Sequence, residues 1–251
     1  MNFFINSKGL KLAYQYSEGS TPLIVFCPGF KSDMEGSKAL FLEEECKNKG
    51  WAYLRFDYSG HGKSGGKFEE GVISRWTEDA YEAINQVSSG DIILVGSSMG
   101  GWVSLLLSKK LKSRLKGFVG IGAAPDFTEK GMWQKWDENM QMKLLKEGRV
   151  ALPSNYGEPY IITRELVEDG RTNQVLGAPI KMDIPVRLLQ GLKDSSVPKE
   201  WPEKIAKYLT SNDVEITFVK DGDHSLSTPS DLSLIMQTLL RLHNKVTSNF
   251  L

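Results

Sequence analysis

Short apolar runs alternate along the chain with longer segments in which apolar residues recur every three or four positions. The first pattern predicts buried strands, and the second predicts helices with one apolar face. The runs predicted as strands are 22–27, 51–56, 92–95, 115–123, 184–190 and 214–219. The segments predicted as helices are 36–49, 76–87, 101–107, 198–209 and 229–248. This alternation indicates an α/β protein with a mostly parallel, twisted sheet and helices on both of its faces.

The amino-terminal residues and the first helix add detail to this outline. Residues 2–16 predict two short strands around a Ser7-Lys8-Gly9 turn. Gly50 is predicted to end helix 36–49. The inward face of that helix is predicted to consist of Ala39, Leu40, Leu42 and Cys46.

The strand–helix rhythm is interrupted between residues 125 and 180. We therefore predict a core formed by 1–124 and 181–251, with 125–180 as an insert. Farther along this insert, a turn is predicted at 156–160 and a helix at 163–168. An apolar face earlier in the insert is defined at helical spacing by Trp133, Trp136, Met140 and Leu144, with Met132 beside them. Two interpretations of this face stay open, packing on the core or lining a pocket.

Residues 91–104, DIILVGSSMGGWVS, carry the strongest chemical signal. An apolar strand leads into Gly96-Ser97-Ser98-Met99-Gly100, which has the form G-x-S-x-G, and a helix follows. This arrangement predicts a nucleophile elbow, a strained turn that lifts the Ser98 hydroxyl above the edge of the sheet. Glycine at 96 and 100 allows the strand and the helix to approach closely. The alternative interpretation is a glycine-rich turn that carries an ordinary surface serine.

A serine nucleophile needs a base that takes its proton. Of the three histidines, His224 follows the last predicted strand and lies after Ser98 in the chain, as expected for an elbow of this kind. His61 lies before Ser98, and His243 lies in the last predicted helix, where it is interpreted as a surface or helix-end residue. His224 is therefore the predicted base.

The acid that orients His224 is predicted to be Asp194. Asp194 follows the strand at 184–190, so it falls at the same edge of the sheet as Ser98. An Asp in this turn could alternatively cap the next helix, and Asp126 is a weaker alternative for the acid.

The oxyanion of a tetrahedral intermediate needs two preorganised N–H donors. The backbone N–H of Met99, at the start of the elbow helix, is predicted to be one of them. The backbone N–H of Phe30 is predicted to be the other, because the Pro28-Gly29-Phe30 loop follows a neighbouring strand.

Composition and charge narrow the function further. The chain has 31 basic and 31 acidic residues, so its zero net charge predicts no nucleic-acid partner. Cys27 and Cys46 have no metal-ligand spacing, and neither a metal nor another cofactor is expected. Gly62-Lys63-Ser64 matches the end of a phosphate-binding loop, but Asp57 stands where that loop requires glycine. A nucleotide site is therefore not expected. No secretory signal and no run long enough to cross a membrane is recognised, so a cytoplasmic location is expected.

Together these motifs resemble those of the α/β-hydrolase superfamily. The resemblance is carried by Pro28-Gly29-Phe30 and by 57–66, 96–101, 189–198 and 222–225. More narrowly, GSSMGGW, IPVRLLQGLKDSSVP and the Asp-His pair at 223–224 resemble the mitochondrial abhydrolase-domain acyl-protein thioesterase group and its bacterial relatives.

The resemblance implies an α/β-hydrolase fold in which the insert forms a small helical lid over the nucleophile. It implies Ser98 as nucleophile, Asp194 as acid and His224 as base. On the lid, the candidates for contact with substrate are Trp133, Trp136 and Met140. An Arg-rich, acid-poor import segment is not recognised at the start of the chain, so a mitochondrial location is not expected.

These features predict a serine hydrolase that cleaves carboxylic esters or thioesters with an apolar acyl group through an acyl-enzyme. The expected substrate is a small-molecule ester or thioester, or an acylated protein, and the enzyme is expected to be a monomer or a homodimer. Two alternatives stay open, a non-catalytic small-molecule sensor on the same fold and an acyltransferase.

Overall fold

The computed structural model describes residues 1–153 and 159–248. Its strands, numbered in chain order, are β1 (Asn2–Ile5), β2 (Lys11–Ser17), β3 (Ser20–Cys27), β4 (Trp51–Phe56), β5 (Ile92–Ser97), β6 (Leu115–Ile121), β7 (Arg149–Leu152), β8 (Tyr160–Thr163), β9 (Val186–Gly191) and β10 (Val214–Val219). In these residues, eight strands form one sheet in the order β1-β2-β4-β3-β5-β6-β9-β10. Strands β1 and β2 pair antiparallel with their neighbours, and the remaining strands of the sheet pair parallel to one another.

Helices cover both faces of this sheet. They are α1 (Ser37–Asn48), α2 (Ile73–Val87), α3 (Met99–Leu111), α4 (Glu138–Glu147), α5 (Arg164–Thr172), α6 (Trp201–Tyr208) and α7 (Pro229–Ser248). Within the described part of the chain, none of them is both long and apolar enough to cross a bilayer.

Alternate residues of the central strands pack into two separate cores. In β5, Ile92 and Leu94 contact the side covered by α2 and α3, whereas Ile93 and Val95 contact the side covered by α1 and α7. Because both faces of such a strand are buried, its sequence is a continuous apolar run instead of an alternating one. The predicted α/β class, with a mostly parallel sheet and helices on both faces, is confirmed.

Two predictions about buried residues were wrong. Leu40 does not face inward, since it is 44% exposed. Its place on the inward face of α1 is taken by Glu43, which forms an ion pair with Arg55 of β4 at 2.8 Å. His243 does not lie on the surface, because its ring stacks on Trp51 with centroids 3.7 Å apart.

The insert lies between β6 and β9, which pair directly beneath it. It contains α4, α5 and an antiparallel hairpin of β7 and β8 that the sequence did not predict. The predicted turn at 156–160 lies mostly outside the described residues. The division of the chain into 1–124, 125–180 and 181–251 stays a prediction.

The amphipathic helix predicted across Trp133 and Leu144 is divided into several turns. Phe127–Met132 forms a π-helical segment, Trp133–Lys135 forms a 3₁₀ turn, and α4 begins only at Glu138. Asp137 sets that beginning, because its carboxylate accepts a hydrogen bond from the N–H of Met140 at 2.8 Å.

A buried carboxylate joins the two ends of the insert. Asp126 is fully buried and has a left-handed φ of +59°. Its carboxylate accepts hydrogen bonds from the N–H groups of Val175 at 2.8 Å and Leu176 at 2.9 Å. Lys130 adds an ion pair at 3.1 Å. Asp126, the weaker alternative for the acid, is therefore engaged with the backbone at the base of the insert.

We expect Asp126→Ala to lower the free energy of unfolding by about 2–4 kcal/mol, because two buried N–H groups lose their acceptor. Urea unfolding of the variant measures this change. The matched control is Asp137→Ala, which removes an exposed helix cap and should cost about 1 kcal/mol. Equal losses in the two variants would contradict the assignment.

Candidate active site

Ser98 lies at the junction of β5 and α3 in a backbone conformation that most residues avoid. Its φ is +54° and its ψ is −118°. The Ser98 N–H donates to the C=O of Ile121 in β6 at 2.9 Å, and the Ser98 C=O accepts from the N–H of Ala124 at 3.0 Å. These bonds hold the strained residue in place while its side chain stays partly exposed.

Two glycines allow α3 to pack directly on β3 and β5. A Cβ atom at Gly100 would lie 2.0 Å from the carbonyl oxygen of Cys27, and one at Gly96 would lie 2.5 Å from the carbonyl oxygen of Gly100. Side chains do not fit at such distances, so a larger residue would push the helix away from the sheet. The role predicted for these glycines is confirmed.

Three loops bring Ser98, Asp194 and His224 together at the carboxyl edge of the sheet. They follow β5, β9 and β10, respectively. His224 Nε2 lies 3.1 Å from Ser98 Oγ, and His224 Nδ1 lies 2.7 Å from Asp194 Oδ2. The ionised carboxylate can only accept, so the proton of the neutral imidazole belongs on Nδ1. Nε2 is then free to accept the proton of the Ser98 hydroxyl.

Asp194 is buried and fully hydrogen-bonded, with its side chain 1% exposed. Oδ1 accepts from the N–H groups of Ser196 and Val197, both at 2.8 Å, and Oδ2 accepts from Gln190 Nε2 at 2.9 Å. Burial alone raises the pKa of the carboxyl, but His224 and the backbone N–H groups of Val197 and Ser196 outweigh burial and hold its pKa below the ordinary value. These two N–H groups belong to the turn before α6 and not to the helix itself, so the helix-cap interpretation finds no support.

The loop that carries His224 is held by its own side chains and by α1. Asp223 Oδ1 accepts a hydrogen bond from the N–H of Ser225 at 2.9 Å. Lys38 Nζ reaches from α1 to the C=O of Ser225 and to Ser227 Oγ, the latter at 3.2 Å. Burial lowers the pKa of the Lys38 ammonium, against the opposing effect of Asp223. These contacts hold the loop after β10 in place and with it the imidazole of His224.

The two predicted oxyanion donors flank Ser98. The N–H of Met99 opens α3 and has no acceptor inside the helix. Gly29 lies against the nucleophile, because a Cβ there would be 3.4 Å from Ser98 Cβ. The N–H of Phe30 belongs to the peptide that joins Gly29 to Phe30, and it has no protein acceptor among the described residues. The Phe30 ring packs edge-on against Phe68, Trp76, Phe127 and Tyr160.

A cavity of about 1050 Å³ opens at Ser98 and His224. Its apolar wall includes Phe30, Phe127, Met132, Tyr160, Val197 and Trp201. Its polar wall includes Lys31, Ser32, Lys38, Ser196, Asp223 and Ser225. The insert contributes to the apolar wall, so an apolar group bound beside Ser98 would contact it.

The three insert residues predicted to contact substrate lie elsewhere. Trp133, Trp136 and Met140 are not among the described residues that line the cavity, and they pack against the core instead. The Arg171 guanidinium covers the Trp133 ring at 4.5 Å from its centroid. The prediction assumed one continuous α-helix, whereas the π and 3₁₀ turns change the direction of each side chain.

Sequence reasoning noted Met132 beside the apolar face of the insert but did not predict it to contact substrate, because helical spacing singled out Trp133. Lys38 and Trp201 were missed. Lys38 lies 187 positions from its partner Ser225, so no local pattern connects the two. The signal that could have found Trp201 was its position just after the loop that carries Asp194.

Comparison with known proteins identifies the family. A family model described as serine aminopeptidase, S33 matches residues 20–169. The mitochondrial palmitoyl-protein thioesterase ABHD10 of Mus musculus is 34% identical over 253 aligned positions, which cover 99% of this chain and 84% of that protein. The Homo sapiens protein of the same name is 34% identical over 248 residues, covering 98% and 81%.

Solved structures match nearly the whole chain. A protein from Agrobacterium vitis S4 is 37% identical with a TM-score of 0.91, covering 96% of this chain and 97% of its own. Alpha/beta hydrolase domain-containing protein 10 from mouse is 34% identical with a TM-score of 0.91, covering 98% of each chain. Est1E from Butyrivibrio proteoclasticus, at 20% identity, a TM-score of 0.80 and coverage of 96% and 99%, shares the fold. The chain therefore belongs to the α/β-hydrolase superfamily and, within it, to the family described as serine aminopeptidase, S33.

Proposed function

We propose that the protein is a serine hydrolase that cleaves thioesters or carboxylic esters of apolar acyl groups. The observation that carries this proposal is the hydrogen-bonded series Ser98–His224–Asp194 at the mouth of a cavity with an apolar wall. Acyl transfer needs a nucleophile, a base and an acid in this order. Similarity to proteins named palmitoyl-protein thioesterases supports a thioester substrate.

In the first half of the reaction, Ser98 Oγ attacks the carbonyl carbon while His224 Nε2 takes the hydroxyl proton. Asp194 stabilises the resulting imidazolium through Nδ1–H. The N–H groups of Phe30 and Met99 donate to the oxyanion. The intermediate then breaks its bond to the leaving sulfur or oxygen, which receives the proton from His224, and the acyl group stays on Ser98.

In the second half, water attacks the acyl-enzyme while His224 takes one of its protons. The second tetrahedral intermediate is held by the same N–H donors. It collapses to the free carboxylic acid, and His224 returns the proton to Ser98 Oγ.

The two walls of the cavity would contact different parts of the substrate. The acyl chain would lie against Phe127, Met132 and Trp201, and an unbranched, flexible methionine suits chains of variable shape. The leaving group would lie toward Lys31 and Lys38, where a small thiol, an alcohol or the thiol of an acylated protein meets polar side chains. The cytoplasmic location and the monomeric or homodimeric state stay predictions.

We expect Ser98→Ala to lower hydrolysis of acyl thioesters and p-nitrophenyl esters by about 10³-fold or more. Initial rates with the purified proteins measure the loss. Ser108→Ala is the matched control, because Ser108 lies on the same helix and its hydroxyl donates only to the C=O of Leu105 among the described residues. Equal turnover by Ser98→Ala and the wild type would remove the proposal.

A fluorophosphonate, which modifies an activated serine, separates the alternatives. Labelling of Ser98 together with release of free acid supports the hydrolase. A folded protein without labelling would favour a non-catalytic sensor. Formation of new esters when alcohols are added would favour an acyltransferase.

We expect Asp194→Asn to lower kcat by about 10²–10⁴-fold, because the amide no longer fixes the His224 tautomer. Asp183→Asn is the control, since Asp183 lies before β9, at the opposite edge of the sheet, and accepts from Thr210 Oγ1. Steady-state kinetics on both variants provide the test, and wild-type kcat in Asp194→Asn would argue against the assigned acid.

We expect Met132→Asn to lower kcat/KM for long-chain esters by about 10-fold relative to acetyl esters, because a polar amide replaces apolar wall. A series of acyl lengths measures this preference. Trp133→Leu should leave the preference unchanged, because Trp133 does not line the cavity. The reverse pattern would restore the lid contacts predicted from the sequence.

A further inference from the structure

His61 is a buried histidine that the proposed reaction does not use. It lies in the loop after β4 and is 4% exposed. Its ring makes edge contacts with the rings of Tyr58, Phe68 and Trp76, at centroid distances of 5.6, 5.2 and 5.1 Å. Burial lowers the pKa of His61 to about 4, so the imidazole is neutral at pH 7.

The two ring nitrogens of His61 have partners that define its tautomer. Nδ1 lies 3.2 Å from the C=O of Ser59, which can only accept a hydrogen bond. Nε2 lies 3.2 Å from the N–H of Lys31, which can only donate one. The proton is therefore on Nδ1, and Nε2 is the acceptor. The Ser59 C=O also accepts a hydrogen bond from Trp76 Nε1 at 3.0 Å, and this bond fixes the position of the C=O group.

The bond to Lys31 falls on the turn that carries a predicted oxyanion donor. Lys31 has a left-handed φ of +56°, which a lysine rarely adopts without support. The C=O of Gly29 accepts from the N–H of Ser32 at 3.1 Å. In a trans peptide the N–H points away from the C=O, so this bond directs the Phe30 N–H to the opposite side. The next peptide is held through its N–H by His61.

We infer that His61 is a positioning residue for the oxyanion hole, because its unprotonated Nε2 holds the Lys31 backbone and with it the orientation of the Phe30 N–H. The inference rests on the proposed function. His61 is not among the described residues that line the cavity, and it reaches the site only through the backbone N–H of Lys31. Its effect is therefore on stabilisation of the transition state and not on binding of the ground state.

Two variants test the inference. His61→Gln keeps an acceptor oxygen near the position of Nε2, whereas His61→Leu removes it and retains an apolar side chain of similar size. We expect His61→Leu to lower kcat by about 10–10²-fold, less than or equal to the loss of a complete oxyanion donor, with KM within about twofold. His61→Gln should stay within about threefold of wild-type kcat. All rates are normalised to the fraction of Ser98 that a fluorophosphonate labels.

A tetrahedral boronate inhibitor gives a second measurement. It should bind His61→Leu more weakly by the same factor as kcat falls, because both depend on the oxyanion donors. His243→Leu is the matched control, a buried histidine stacked on Trp51 away from the site, and it should keep wild-type kcat. Wild-type kcat in His61→Leu, or equal losses in His61→Leu and His61→Gln, would overturn the inference.

An NMR measurement reads the same contact without turnover. Imidazole nitrogen shifts should show the neutral Nδ1–H tautomer of His61 at pH 7, and the Lys31 amide should exchange faster in His61→Leu than in the wild type. An Nε2–H tautomer, or unchanged exchange at Lys31, would overturn the inference. Absence of any Ser98-dependent hydrolysis in the wild type would instead overturn the proposed function, so the two failures are distinguishable.

Discussion

The arrangement of the site depends on how closely the first turn of α3 approaches the sheet. Gly100 lies against the carbonyl oxygen of Cys27, and Gly96 lies against Gly100, at distances that exclude a Cβ atom. Because the helix begins directly above the strands, its amino-terminal dipole end lies at Ser98. The same close contact requires the left-handed φ of Ser98, which hydrogen bonds to β6 and to Ala124 compensate. Packing, backbone strain and electrostatics at the nucleophile thus have one origin.

Strand pairing determines where the other two members of the series meet. In β9 and β10, Gly191 is the partner of Val219, so the loops that carry Asp194 and His224 begin side by side. These loops then pack together, since a Cβ at Gly191 would lie 2.3 Å from the carbonyl oxygen of Gly222. Loops that start at adjacent positions and pack closely need few residues to bring an acid to an imidazole.

The parts of this structure that could be predicted from sequence are those that local physics determines. The β5 run is apolar on both faces, and Gly96 and Gly100 mark the turn, so Ser98, Asp194 and His224 could be found as residues at strand ends. The inward position of Leu40 was wrong because a long-range ion pair places Glu43 there instead. The insert was predicted least well, since periodicity does not distinguish an α-helix from the π and 3₁₀ turns around Trp133. The short strands of its hairpin carry little pattern of their own.

The hydrogen bonds from Val175 and Leu176 to the Asp126 carboxylate join the two ends of the insert, and this affects how the sequence of the protein can change in evolution. The chain leaves and re-enters the sheet at neighbouring points, while β6 and β9 pair without it. Much of the apolar wall therefore comes from a stretch of sequence separate from the edge that carries the reacting groups. Drift or recombination within that stretch can change which acyl chains fit and leave the chemistry intact, so selectivity and reactivity can evolve independently.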